Sequence, residues 1–425
     1  MTKVAPFKAV IYNQEKIKHI REVVCPPYDV ISPNEQEYYH NLDPHNFIRV
    51  LLTRDATGED KYKIAAERFN NWFKEQVLIS DSAPAFYFYS QQYYIKGEKR
   101  NRYGFIGLLR LEDDNSRVFG HEHTRLEPKE DRLRLIRKVK ANLSPIFAVF
   151  GDKHRIISGL QQHCGEGNRP FIELTDQQNV THRLWRIDSQ EMVRKIQEKI
   201  SDENIFIADG HHRYEVACNF REEMRKKLGS ITGDESFNYI LCYFTNTRVP
   251  DLTVLPIHRL INFPTAPDIE KLKNSLQEYF DLEEIKDKTK FFFLLQKAGN
   301  TEHVIGMYHC RRFYLLRLKN IRILDKVIQD RQKEYRLLDV SVFNYLILKK
   351  ILDMDIEDKK NIIFNHDAQE LLGLADSSDS SIAFILNPAK INQIMAIALS
   401  GEKMPSKSTF FYPKVLSGLL VHKFF

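Results

Sequence analysis

The chain has 425 residues, 28% charged and 43% apolar, with 63 basic against 57 acidic side chains and a net charge of +6. That length suggests two or three domains, or one large α/β body with additions. The 17 Gly and 16 Pro exclude collagen-like and low-complexity classes, and 28 Phe with 19 Tyr supply a core that disordered chains lack.

In chain order, Cys25-Pro-Pro-Tyr-Asp-Val30 reads as a rigid turn whose Tyr28 and Asp29 could line a site. His45, Asn46 and Arg49 are isolated. Residues 60–77 space Ile64, Ala65, Phe69, Trp72 and Phe73 as a helix does. The aromatic run 84–94 and YGFIGLLRL (103–111) read as two strands of a hairpin turning at Lys96-Gly-Glu-Lys99. A helix is expected over 128–140, where the basic cluster from Arg132 to Lys138 reads as a solvated face. Asp188-Ser-Gln-Glu191 matches a capping box before Val193, Ile196 and Ile200.

Residues 205–208 form a short buried strand, and Ala217, Phe220, Met224 and Leu228 then mark a helix ended by Gly229. Beyond about Pro264 the character shifts. A helix over 269–279 is expected to lead into strands at 290–296, 304–310 and 313–318. A helix over 338–352, an exposed loop at 376–381 and a strand at 382–386 follow. The division expected is 1–264, an α/β catalytic or ligand-binding region, and 265–425, an α+β region packed against it.

Nucleic-acid binding is disfavoured, because the mild basic excess is dispersed. No apolar run nears the roughly 18 residues of a membrane span, and MTKVAPFKAVIYNQEK has no signal-peptide core, so no membrane and a cytoplasmic location are expected. Five cysteines without a CxxC fit reduced thiols better than a disulfide framework or a zinc knuckle.

The strongest chemical signal is Ala208-Asp-Gly-His-His-Arg-Tyr214, between a buried strand and an amphipathic helix. A helix N-terminus carries partial positive charge and unsatisfied N–H groups, so it holds anions. Gly210 allows a tight turn, His211, His212 and Arg213 add donors, and Asp209 is either the N-cap or a ligand for a metal that rides with a phosphate. The alternative is a helix cap with surface histidines.

The second signal is Gly120-His-Glu-His-Thr124 after a strand. His121 and His123 would share a face as a metal pair, or Glu122 would serve as general base beside a phosphate-binding His121. His258 and Arg259, ending an apolar strand, are weaker candidates, as are Lys407 and Lys414 in MPSKSTFFYPK. No GxSxG, Walker or GxGxxG pattern occurs, which disfavours ordinary serine hydrolases, P-loop enzymes and Rossmann dinucleotide enzymes.

Nearly end to end, the chain resembles the bacterial and archaeal family called domain of unknown function 1015. The resemblance rests on PPYDVIS (26–32), HNFIRVLL (45–52), HEHTRLEPKEDRLRLI (121–136), ANLSPIF (141–147), ADGHHRYEVA (208–217), LPIHRL (255–260) and MPSKSTFFYPKVLSGLLV (404–421). His123 falls at a position variable in that family, which leaves His121 and Glu122 as the better candidates. ADGHHR alone is similar to the nucleotide-phosphate motif of the ParB/sulfiredoxin-like fold, which includes free-serine kinases.

That resemblance implies a mixed-sheet α/β (α+β) body with a ParB/sulfiredoxin-like nucleotide-binding core. It implies that Gly210, His211, His212 and Arg213 contact nucleotide phosphates. The leading expectation is a nucleotide-dependent phosphotransferase acting on serine or a similar small hydroxylated metabolite, using ATP or ADP with Mg²⁺ held by Asp209. Catalytic roles fall to Glu122, Asp209 and His212, and substrate binding to His258, Arg259 and Asn142. A phosphoserine phosphatase, a nucleotide-gated regulator of ParB type and a metal hydrolase using His121, His123, His211 and His212 are the alternatives. Oligomeric state stays open.

Overall fold

The computed structural model describes the chain except residues 55–59, 113–116, 166, 230–231, 248–251, 356–359 and 425. It divides into two compact units: 1–120, 124–253 and 413–425 in the first, 121–123 and 254–412 in the second.

The first unit is built on a mixed nine-stranded sheet of β1 (Val4–Ala5), β2 (Phe86–Ile95), β3 (Glu98–Arg110), β4 (Val118–Gly120), β5 (Ile146–Phe150), β6 (Ile172–Thr175), β7 (Thr181–Ile187), β8 (Ile205–Asp209) and β9 (Tyr239–Asn246). The order is β4-β8-β5-β9-β3-β2-β7-β6, with β1 on β3. β8 runs parallel to β4, β9 parallel to β5, and the other pairs are antiparallel.

The hairpin expected between 84 and 111 is present, and it is longer than its apolar run because β3 starts at Glu98. Lys96 (φ 50°) and Gly97 (φ 80°) both sit in the left-handed region, the geometry of a tight hairpin turn. The central strands are apolar on both faces, as IFAVF in β5 and IFIA in β8 show, because helices cover the sheet.

The helices of ten residues or more among the described residues of this unit are α1 (Pro33–Leu42), α2 (Lys61–Lys74), α3 (Leu126–Val139), α4 (Ile156–Gly165), α5 (Gln190–Ile200) and α6 (His211–Leu228). α2 is capped by Asp60 and α5 by Ser189, one residue after the Asp188 that the sequence pattern marks. α3 buries Leu133, Leu135, Ile136 and Val139. Arg132 does not join the solvated face: it is buried, with its guanidinium 4.5 Å from the Tyr28 ring centroid and hydrogen-bonded to the Leu51 carbonyl at 2.8 Å. Asn46 is likewise buried, its amide tying the Glu22 carbonyl at 2.7 Å to the Ile48 N–H at 2.9 Å.

Residues 413–425 return to this unit. Ser417 pairs with Cys25, Val421 with Val10, and His422–Lys423 with Ala141–Asn142. His422 is buried and its Nε2–H donates to the Ser236 carbonyl at 3.0 Å. Burial lowers its pKa to about 4, outweighing that bond. The unfolded chain therefore binds the extra proton first, and stability is lost as pH falls from about 6.5 towards 4. His422→Gln, which keeps a donor without titrating, should reduce the loss between pH 7 and 4.5 by about 2–3 kcal/mol. Denaturant titration at both pH values checks this.

The second unit holds an antiparallel six-stranded sheet: β10 (His258–Asn262), β11 (Phe280–Ile285), β12 (Val304–His309), β13 (Arg312–Leu318), β14 (Ile362–Asn365) and β15 (Ser381–Ile385), in the order β11-β13-β12-β15-β10-β14. Its helices include α7 (Ile269–Gln277), α8 (Lys288–Ala298), α9 (Ala368–Asp376) and α10 (Ile391–Leu399). Asp339–Val342 continues as a π-helix over Phe343–Ile351.

α8 corrects the strand expected at 290–296. Phe291, Leu295 and Ala298 are its buried residues, at four- and three-residue spacing, and Asp287 caps it. The dense aromatic run masked that period. No helix among the described residues is long and apolar enough to cross a membrane.

Candidate functional site

β8 carries Asp209 at its end and α6 starts two residues later. Gly210 joins them at φ +91° with no side-chain cap on the helix. A Cβ there would lie 2.9 Å from Arg213 Cζ and 3.0 Å from Ile146 Cγ2, so both conformation and space require glycine. One turn on, Arg213 folds back over Gly210. Its Nη2 donates to Asp209 Oδ2 at 2.5 Å and its Nη1 to the Pro145 carbonyl. Nε is buried without a hydrogen-bond partner.

The other Asp209 oxygen takes Lys414 Nζ, supplied from 205 residues away. The side chains of Arg213, Asp209 and Lys414 are 11%, 14% and 12% exposed, so the three charges meet largely out of water. Burial pushes the Asp209 carboxyl up, but Lys414 and Arg213 outweigh it and hold the pKa at about 2.

Lys414 is held by its backbone. Arg102 donates to Gln91 Oε1 from Nε at 3.1 Å and to the Pro413 carbonyl from Nη2, while Gln91 Nε2 donates to the Lys414 carbonyl at 2.9 Å. Gln91 and Arg102 are cross-strand partners on β2 and β3, and both are fully buried. The Arg102 guanidinium lies 4.5 Å from the Phe147 ring centroid. Sequence reading did not single out these two residues, which look like ordinary polar alternation in strands.

His212 Nε2 accepts from the Arg125 N–H at 3.0 Å, so the ring fastens the start of α3. Glu215 holds the same segment through Thr124 Oγ1 at 2.6 Å and Lys129 Nζ at 2.9 Å. His211 is buried in the first turn of α6. Tyr28, Asn142, Ser144 and Arg213 line one cavity of about 50 Å³. Asn142 accepts the Leu241 N–H at 3.1 Å. Burial and then Asp29 push the Tyr28 hydroxyl up, with Arg213 and Arg132 opposing, to about 12.

His121 and Glu122 belong to the second unit. His121 is fully buried, its carbonyl accepts the Met404 N–H at 2.7 Å, and Glu122 bridges Met404 in parallel. His258 and Arg259 lie inside β10 of the same unit. His258 Nδ1 accepts the Leu386 N–H at 3.1 Å, and burial lowers its pKa to about 3. That ring is a neutral structural acceptor. Lys407, also in this unit, accepts from Arg259 Nη2 through its carbonyl at 3.0 Å.

The turn suits an anion: one carboxylate faces two cations at the uncapped start of an 18-residue helix. It does not suit Mg²⁺ at Asp209, because each oxygen already holds a cation. Among the described residues no three His, Cys, Asp or Glu side chains gather as metal ligands, so the four-histidine metal centre is absent from them.

Solved structures with limited likeness include a free serine kinase in complex with AMP, 13% identical, covering 72% of this chain and 90% of that one, with a TM-score of 0.33. SbnI with a C-terminal truncation, from Staphylococcus aureus, is 12% identical, with 74% and 86% covered and a TM-score of 0.35. A conserved hypothetical protein from Pyrococcus furiosus is 11% identical, with 72% and 91% covered and a TM-score of 0.32. No curated protein matches. A family model matches residues 4–341, and the chain belongs to that family, described as protein of unknown function (DUF1015).

Proposed function

We propose that the 209–213 turn binds the phosphates of a nucleotide, ATP or ADP, and that the protein transfers a phosphoryl group to serine or a similar small hydroxylated metabolite. The observation that carries this reading is Lys414, brought across the sequence onto Asp209 at the uncapped start of α6. Asp209 fixes that ammonium, and its positive charge with the N-terminal end of α6 forms the cradle. Arg213 shapes the turn through Asp209 and Pro145 and adds positive charge. His212 positions α3 against the turn. Such a cradle suits phosphoryl transfer, where positioning and charge stabilisation supply most of the rate.

In the transfer step the acceptor hydroxyl oxygen bonds to the terminal phosphorus of the nucleotide, and the bond from that phosphorus to its bridging oxygen breaks, releasing ADP from ATP or AMP from ADP. The hydroxyl proton passes to a carboxylate. No step is assigned to Mg²⁺.

³¹P NMR of ATP and, separately, of ADP with serine and related hydroxylated acceptors tests the reading. The native chain should form a phosphomonoester. Lys414→Met should lower kcat/KM about 100-fold or more, because the ammonium at the start of α6 is removed. Absence of transfer to every acceptor, or full activity in the variant, contradicts the assignment.

A further inference from the structure

The second unit contains a cavity of about 180 Å³ walled by its own residues. Its lining comes from Ile257 and Arg259 on and beside β10, residues 299–303 after α8, 337–340, and 386–390 leading into α10.

Arg259 stands out. It is 2% exposed, with its guanidinium carbon 5.5 Å from the Phe364 ring centroid and 5.7 Å from that of Phe343. Nη1 and Nη2 donate to the carbonyls of Ile257 and Lys407, while Nε has no hydrogen-bond partner. No carboxylate pairs with the guanidinium among the described residues, and burial alone lowers its pKa to about 9. A buried cation without a counter-ion is costly.

Glu302 pairs with Arg317 at 2.6 Å, Asp339 with His303 at 2.8 Å, and Lys390 Nζ donates to the Asn300 carbonyl at 2.6 Å. Lys390 is exposed, so its charge is solvated, whereas Arg259 is a buried cation without an acid among the described residues. The first turn of α10, with Lys390 and Gln393 on the wall, adds the positive end of a nine-residue helix.

We propose that this cavity binds a small carboxylate of amino-acid size, held through Arg259. The volume lies below the roughly 300–1,000 Å³ of drug-sized ligand pockets, so the guest is small. The buried Arg259 charge matches one negative charge on the guest. Asp339 and Asn387 also line the wall. These acceptors oppose a phosphate dianion and suit an ammonium group on the same molecule as the carboxylate. The inference stands on the second unit alone and does not depend on the nucleotide reading.

Saturation-transfer NMR of the full chain with L-alanine, propionate and inorganic phosphate, each at millimolar concentration, tests it. Two variants accompany the native chain: Arg259→Met removes the cation, and Ala389→Leu fills the cavity while leaving Arg259 in place. L-Alanine or propionate should bind the native chain, and both variants should weaken that binding at least about tenfold. If Arg259→Met fails to fold, Ala389→Leu alone decides. Binding of phosphate only, of no probe, or of a carboxylate with equal affinity in the folded variants overturns the proposal.

Discussion

Lys414→Met should lose nucleotide binding by about 100-fold or more and cost about 2 kcal/mol of stability. The affinity loss comes from removing the ammonium that Asp209 fixes at the start of α6. The stability loss comes from leaving Asp209, 14% exposed, without one of the two ion-pair partners it has among the described residues, Lys414 and Arg213. Native Asp209, with its pKa held at about 2, contributes stability that is present above about pH 4 and lost as pH falls through 2. Without Lys414 the carboxyl titrates at higher pH, so acid unfolding of the variant should begin earlier. Calorimetry with ATP and denaturant titration at pH 7 and pH 4 measure both effects. Lys414→Arg, which keeps a cation, should retain more of the affinity than Lys414→Met.

Gly418→Val should cost about 3–5 kcal/mol. Gly418 sits at φ +86°, and a Cβ there would lie 2.7 Å from Phe47 Cγ and 2.8 Å from Phe47 Cβ. Phe47 is fully buried, so it has no room to yield. The same change at Gly97, at φ +80° with nothing within 4 Å, carries backbone strain alone and should cost about 1 kcal/mol. Because Gly418 follows the Ser417–Cys25 pairing, its loss also frees the segment that brings Lys414 to Asp209. Nucleotide affinity should therefore fall with stability in Gly418→Val and hold in Gly97→Val. Urea unfolding beside calorimetry on both variants checks the pairing of effects.

These two residues also mark where the sequence is informative and where it is silent. The strand–turn–helix around Asp209 was legible because apolar period, glycine and basic residues coincide within seven positions. The hairpin of β2 and β3 was legible because aromatic runs flank a turn. Lys414 could be named only as one of two lysines in MPSKSTFFYPK, since nothing local says which reaches Asp209. Arg102 and Gln91 were invisible because their role arises from cross-strand register and from a tail more than 300 residues away. α8 was mistaken for a strand because Phe291, Phe292 and Phe293 hide a helical period inside a continuous apolar run. His258 reads as chemistry in sequence, yet its ring serves the Leu386 backbone. Residue type alone does not reveal which polar groups the fold uses to satisfy itself.

The central claim is that nucleotide phosphates bind at the 209–213 turn with Lys414. The most direct test is calorimetric titration of the full chain with ATP, ADP and CTP, with and without Mg²⁺, alongside Lys414→Met. The account predicts near one-to-one binding of ATP or ADP that Lys414→Met largely loses while near-UV circular dichroism shows the variant folded. No binding of any nucleotide, or equal affinity in the folded variant, contradicts it.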